Sequence, residues 1–169
     1  MKIRKAVLAD ASGIAKVHVD SWRTTYADIV PKDYLNRLSY ESREQLWKNS
    51  IPNGGVYVAE TSTGEIVGFL SGGKERTGNY PNYVGELYAI YILKEYQGNG
   101  LGKLLVKPLL EELQLQNIST LMVLVLEDNR SRLFYEALGA EKLDTIEVEF
   151  SGKIVKELVY GWSDIRKII

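Results

Sequence analysis

The sequence predicts an α/β fold, a mixed β-sheet with helices on its faces, and three observations predict it. Leu87–Leu93 and Leu121–Leu126 are apolar at every position, and a stripe of leucines at helical spacing separates them. Two buried strands around an amphipathic helix are the pattern of a parallel βαβ crossover. Alternating strand-like segments joined by turn residues stand on either side of that unit, and helical segments precede them all.

In chain order, Asp10 precedes Ala11-Ser12-Gly13, and Ile14, Val17 and Trp22 follow at helical spacing. A first helix is expected over residues 11–22, with Asp10 as its N-cap. His18, near the edge of that stripe, is expected to be structural or at the surface. Pro31 fits the first turn of a second helix whose apolar face is Tyr34, Leu35 and Leu38. A third helical segment, about Ser42 to Asn49, stops at the turn cluster Pro52-Asn53-Gly54-Gly55. Val56–Ala59 and Ile66–Leu70 read as a hairpin around Ser62-Thr63-Gly64. Residues 71–85 carry Gly72, Gly73, Gly78, Asn79, Pro81, Asn82 and Gly85 and read as a long functional loop. After the first apolar run, Leu101, Leu104, Leu105, Leu109 and Leu113 mark a helix that Pro108 is expected to kink or shorten. A helix around Arg132–Leu138 stops at Gly139, a natural C′ residue. Ile146–Phe150 and Ile154–Tyr160, around Ser151-Gly152, form a terminal hairpin. Glu111-Glu112 and Glu147/Glu149 read as solvated faces.

A chain of 169 residues, 45% apolar and 25% charged, is expected to form one domain over 1–169. Its apolar runs are too short to span a bilayer. No secretory signal is read in Met1–Lys5, so a cytoplasmic location is expected. With 21 basic and 22 acidic residues the net charge is −1, which provides no field for gripping a nucleic acid. Zero cysteines exclude disulfides, thiolate zinc sites and cysteine nucleophiles; one histidine excludes a multi-histidine metal site. No metal-ligand spacing emerges, and no metal is expected.

The most informative segment is Gln97-Gly98-Asn99-Gly100-Leu101-Gly102-Lys103, which leaves a buried strand and opens a helix. Glycines admit a ligand close to the backbone, and free amides at a helix N-terminus favour phosphate. The Walker pattern is excluded, because Gln97 stands where its first glycine is needed and Leu104 where Ser or Thr is needed. The dinucleotide fingerprint fails at Lys103 and at Leu105.

What fits is Gln-x-x-Gly-x-Gly, and here the chain resembles the GCN5-related N-acetyltransferase (GNAT) superfamily. The core motif of that family is similar to Leu87–Gly102 throughout, and its second signature to Leu126–Asn129 with Leu133–Ala140. The resemblance covers nearly the whole chain and implies a mixed sheet of about six or seven strands. It implies acetyl-CoA as acetyl donor, its pyrophosphate held by Gln97, Gly98, Asn99, Gly100, Leu101, Gly102 and Lys103. The amides of Ile90 and Tyr91 would bind the pantetheine arm, and that of Ile92 the acetyl oxygen. Tyr135 matches the family's helix tyrosine, which implies a general acid that protonates the departing thiolate. Glu86, eleven residues before Gln97, matches the base glutamate of some members; read by itself, it is a solvated strand-end carboxylate. Relatives place an asparagine seven residues before the helix tyrosine, whereas Asn129 is six before Tyr135. It either contacts the pantetheine or caps the following helix. Trp22 and Tyr26, with Glu86, are the expected acceptor contacts, although Trp22 at a helix end also suits a core position.

The implied function is direct transfer from acetyl-CoA to a primary amine of a small molecule or peptide in a ternary complex. The alternative is a non-catalytic acyl-CoA-binding sensor. Homodimerisation through the C-terminal strands is compatible with the sequence.

Overall fold

The computed structural model describes residues 1–168. Its elements are β1 (Lys2–Lys5), α1 (Ala11–Thr25), α2 (Lys32–Asn36), α3 (Tyr40–Ser50), β2 (Val56–Glu60), β3 (Ile66–Lys74), β4 (Gly85–Ile92), α4 (Leu101–Leu115), β5 (Leu121–Leu126), α5 (Ser131–Ala137), β6 (Glu141–Phe150) and β7 (Lys153–Trp162). One seven-stranded sheet has the order β1-β2-β3-β4-β5-β7-β6. Among the described residues only β4 and β5 run parallel; every other pairing is antiparallel. The expected α/β architecture is observed.

Alternation along the strands builds two cores. On one face, Leu105, Leu109 and Leu113 of α4 and Tyr135 of α5 pack on Leu70, Leu87, Val123 and Val125. On the other, Ile14 and Val17 of α1 and Trp47 of α3 pack on Val56, Val58 and Phe69. Near the C-terminal end of α1 this second layer continues as Val19, Tyr26, Leu35, Leu38 and Leu126. No helix among the described residues is long and apolar enough to cross a membrane.

Several local expectations are corrected. β1 was not foreseen: its four residues pair with β2, from Lys2 opposite Glu60 to Lys5 opposite Tyr57, partners distant in sequence. Asp10 holds the N-cap position of α1, but its side chain makes no capping hydrogen bond. Its carboxylate instead accepts from the Val7 amide at 2.8 Å and from both terminal nitrogens of Arg4 at 2.7 and 2.9 Å, tying β1 to the start of α1. That helix runs three residues past Trp22, to Thr25. The segment read as loop from 71 begins later, because Ser71–Lys74 belong to β3. Gly72 is required there by close packing rather than by a turn: a Cβ would lie 2.6 Å from a Leu109 methyl of α4. Pro108 neither ends nor shortens α4, which continues to Leu115. It deprives the carbonyl of Leu104 of a helical donor, and Leu104, placed on the apolar stripe, is 49% exposed. Glu112 is not simply solvated, since the Tyr57 hydroxyl donates to it.

Candidate active site

β4 and β5 pair over only three residues, from Gly85 opposite Leu121 to Leu87 opposite Val123. Beyond Leu87 they part: β4 stays with β3, and β5 with β7. The parting begins where β4 carries an extra residue, Tyr88, between Leu87 opposite Gly72 and Ala89 opposite Ser71. A bulge adds local twist and turns a strand away from its neighbour.

The parting leaves backbone groups of β4 open. Leu93 N–H donates to the Val67 carbonyl at 2.9 Å. Antiparallel alternation therefore turns the amides of Tyr91 and Ala89 toward β3, and those of Ile90 and Ile92 away from it. The Ile92 carbonyl is on the open side too, accepting from Gln97 Nε2 at 2.9 Å. No strand lies beside these groups. The expectation that the Tyr91 amide is available alongside that of Ile90 is corrected by this alternation.

Ile90 and Ile92 line a cleft of about 860 Å³ that runs to the glycine loop. Gln97, Gly98, Gly100, Leu101, Gly102 and Lys103 line it as well, and so does Asn129 across the gap; Asn99 does not. Gly98 and Gly100 have φ of +80° and +81°, and a Cβ on either would meet nothing within 4 Å. Backbone conformation therefore requires these glycines, while the space above them is open. The first intrahelical bond of α4 runs from Leu104 N–H to the Gly100 carbonyl, so the amides of Leu101, Gly102 and Lys103 lack helical partners. Sequence reasoning missed Lys94 and Arg130, which with Lys103 are cations in the lining, against Asp28 and Asp128. Lys94 stood inside the similar motif, whereas nothing local marked Arg130.

Beneath the parting lies a buried chain of hydrogen bonds. Asn129 Nδ2 donates to Tyr26 Oη at 3.1 Å, and Tyr26 Oη shares a 3.2 Å hydrogen bond with Tyr91 Oη. The chain joins the residues after β5 to α1 and to β4. Asn129 Oδ1 accepts from the Ser131 amide at 2.9 Å at the start of α5. Tyr135 is buried between Phe134 and Trp162, and its hydroxyl makes no hydrogen bond among the described residues. Burial, then the neighbouring Tyr26, raises the pKa of Tyr135 well above that of an ordinary phenol. Burial likewise raises Tyr26 and, more strongly, Tyr91.

Glu86 is not a solvated strand end. It is 2% exposed, and Arg76 holds both of its oxygens: Nη2 donates to Oε2 at 2.9 Å, and the Arg76 amide to Oε1 at 3.2 Å. The Arg76 guanidinium also lies 4.0 Å from the centre of the Tyr88 ring. Arg76, Tyr88, Tyr91 and Trp22 line a second cavity of about 710 Å³, which Leu109, Glu112 and Leu113 of α4 close from the other side. Tyr26 lies behind Trp22, their rings 4.3 Å apart. His18, also in that lining, is structural: its Nδ1 accepts from Trp47 Nε1 at 3.1 Å, and its ring stacks on Tyr91. Burial, and secondarily Arg43, pushes its pKa down to about 4.

Known proteins share this architecture. Residues 19–140 match the model of the acetyltransferase (GNAT) family. The N-acetyltransferase YuaI of Bacillus subtilis is 44% identical over 163 residues, covering 96% of this chain and 93% of its own. Among solved structures, the ribosomal-protein-alanine N-acetyltransferase of Brucella melitensis superposes with a TM-score of 0.74 at 23% identity, covering 96% of this chain and 99% of its own. The PaiA N-acetyltransferase of Thermoplasma acidophilum, in complex with coenzyme A, does so with a TM-score of 0.72 at 22% identity, covering 92% and 96%. A parted β4–β5 pair above a glycine-rich helix start, in a chain matched over most of its length, makes this protein an acyltransferase of the acetyltransferase (GNAT) family.

Proposed function

We propose that the protein transfers the acetyl group of acetyl-CoA directly to a primary amine of a small molecule or peptide within a ternary complex. The observation that carries this reading is the pair of outward amides of Ile90 and Ile92, which continue the glycine-loop cleft into the centre of the sheet. The donor fits the residues present: open space over Gly98 and Gly100, unpaired amides at the start of a 15-residue helix, and Lys94, Lys103 and Arg130 for anionic oxygens.

When bound, acetyl-CoA supplies an activated acetyl group and leaves a thiol. The amides of Leu101, Gly102 and Lys103 would hold its pyrophosphate. Ile90 would receive the pantetheine as an added strand does, and the Ile92 amide would steady the carbonyl oxygen as charge develops on it. Tyr135, a phenol and so protonated at neutral pH, would donate its proton to the departing sulfur. Asn129, engaged with Ser131 and Tyr26, would act by orienting Tyr26. Trp22 would wall the acceptor side. Glu86, compensated by Arg76, would anchor residues 75–84 at the rim of that side.

The test is acceptor-dependent thiol release from acetyl-CoA with polyamines, aminoglycosides, amino acids and peptides. Release with at least one class supports transfer. Tight acetyl-CoA binding in calorimetry without release from any acceptor sinks it and leaves a binding module.

A further inference from the structure

One carboxylate on the α1 face has no partner among the described residues. Glu157 lies on β7 opposite Leu126, the last residue of β5. Residues opposite each other in a ladder point to the same side of the sheet. Leu126 packs with Tyr26 and against Tyr91, so Glu157 faces the tyrosine chain beneath the parting. Glu86 shares that face, because it stands opposite Met122, and Met122 and Leu126 alternate onto the same side of β5. Glu157 is half-buried, and among the described residues it forms no hydrogen bond and no ion pair.

Tyr26 from α1 and Tyr80 from the segment after β3 feel its charge, and it feels that of Glu86 on β4, which Arg76 holds. Asp144 of β6 is occupied by the Tyr80 hydroxyl at 2.9 Å. Among the described residues, no cation is committed to Glu157. Burial, and then the negative charge of Glu86, raises its pKa above that of an ordinary glutamate. A half-buried carboxylate without a partner, at a site designed around an amine, is short of a positive charge.

Resting on the acetyl-transfer reading, we propose that Glu157, rather than Glu86, meets the acceptor amine: it binds the ammonium and takes the proton that must leave before the nitrogen can attack. An N–H bond breaks and a carboxyl O–H bond forms, freeing the nitrogen lone pair. As the C–N bond forms, the C–S bond breaks and its electrons stay on sulfur. Over the reaction the nitrogen loses two protons, sulfur gains one, and one reaches solvent by way of Glu157. The acceptor is thus a cationic amine, and its ammonium supplies the counter-charge that Glu157 lacks.

The experiment compares Glu157→Gln, Glu157→Asp and Glu86→Gln with the wild type. It measures thiol release against pH, acetyl-CoA affinity by calorimetry, and thermal unfolding. Glu157→Gln is expected to lower kcat/KM for the amine by about 10²-fold and to abolish its acidic limb, in which activity falls as Glu157 takes up a proton. Acetyl-CoA affinity should stay within about twofold, and unfolding should occur no lower than in the wild type, since an unfavourable buried charge is removed. Glu157→Asp should restore part of the rate and the limb. Full activity of Glu157→Gln beside an active wild type overturns the assignment alone. Parallel loss of acetyl-CoA binding and thermal stability reduces Glu157 to a structural role and overturns it equally. A wild type that binds acetyl-CoA but releases thiol with no amine removes the transfer reading, and the assignment with it.

Discussion

The two sides of the parted strands are built from different material. Toward α4 the site is backbone: open amides on β4, two glycines at positive φ, and a helix N-terminus. Toward α1 it is side chain: Trp22, Tyr26, Tyr88 and Tyr91, a carboxylate held by Arg76 and another without a partner among the described residues. A surface of main-chain groups binds a ligand whatever residues carry them, whereas an aromatic and charged wall changes with every substitution. One fold can thus keep its donor while its acceptor side varies.

Tyr135, in the core on the α4 side, should give the largest effect. Tyr135→Phe is expected to lower turnover by about 10²-fold while acetyl-CoA affinity, measured by calorimetry, stays within about twofold. Unchanged turnover would remove the hydroxyl from the chemistry. On the acceptor side, Arg76→Ala leaves Glu86 buried with its charge uncompensated. It should cost about 1–3 kcal/mol in urea unfolding, and adding Glu86→Gln should recover part of that; equal stability of single and double variants would show that the pair does not anchor the segment.

On the donor side, Gly100→Ala places a Cβ in a left-handed conformation at φ +81° with no steric contact. Strain of about 1 kcal/mol should weaken acetyl-CoA about fivefold in calorimetry, with little change in kcat at saturation. A fall in kcat alone would contradict a purely binding role for the loop. The smallest effect on the reaction belongs to His18, which acts on stability. Its folded pKa lies near 4, below the ordinary 6.5, so the unfolded chain binds the extra proton between those values. Its contribution to stability is full above pH 6.5 and is lost as the pH falls toward 4. His18→Gln should flatten that part of the stability profile followed by urea unfolding, and an unchanged slope would place the titrating group elsewhere.

The donor side was legible because its signals are local. A strand apolar at each position, Gln97-x-x-Gly100-x-Gly102 and a leucine stripe occupy consecutive residues, and each states its conformation within a few positions. The acceptor side joins residues remote in sequence. Asn129 reaches Tyr26 across 103 positions, and Tyr26 reaches Tyr91 across 65. Glu157 read as one residue of an alternating hairpin, because only its register opposite Leu126 brings it to the site. Gly72 and Gly73 misled for a related reason: a glycine that admits a neighbouring side chain to a strand is written like one that makes a turn.

The sequence by itself determined the order of elements after β1, the parallel crossover and the glycine loop. Those follow from periodicity and backbone preference, which act over a few residues. Tertiary structure decided where β4 and β5 part, which amides the parting exposes, that Glu86 is bound to Arg76, and that Glu157 stands free beside the tyrosines. Each depends on strand register and on burial, and a carboxylate's role is set by the charge and solvent around it once the chain has folded.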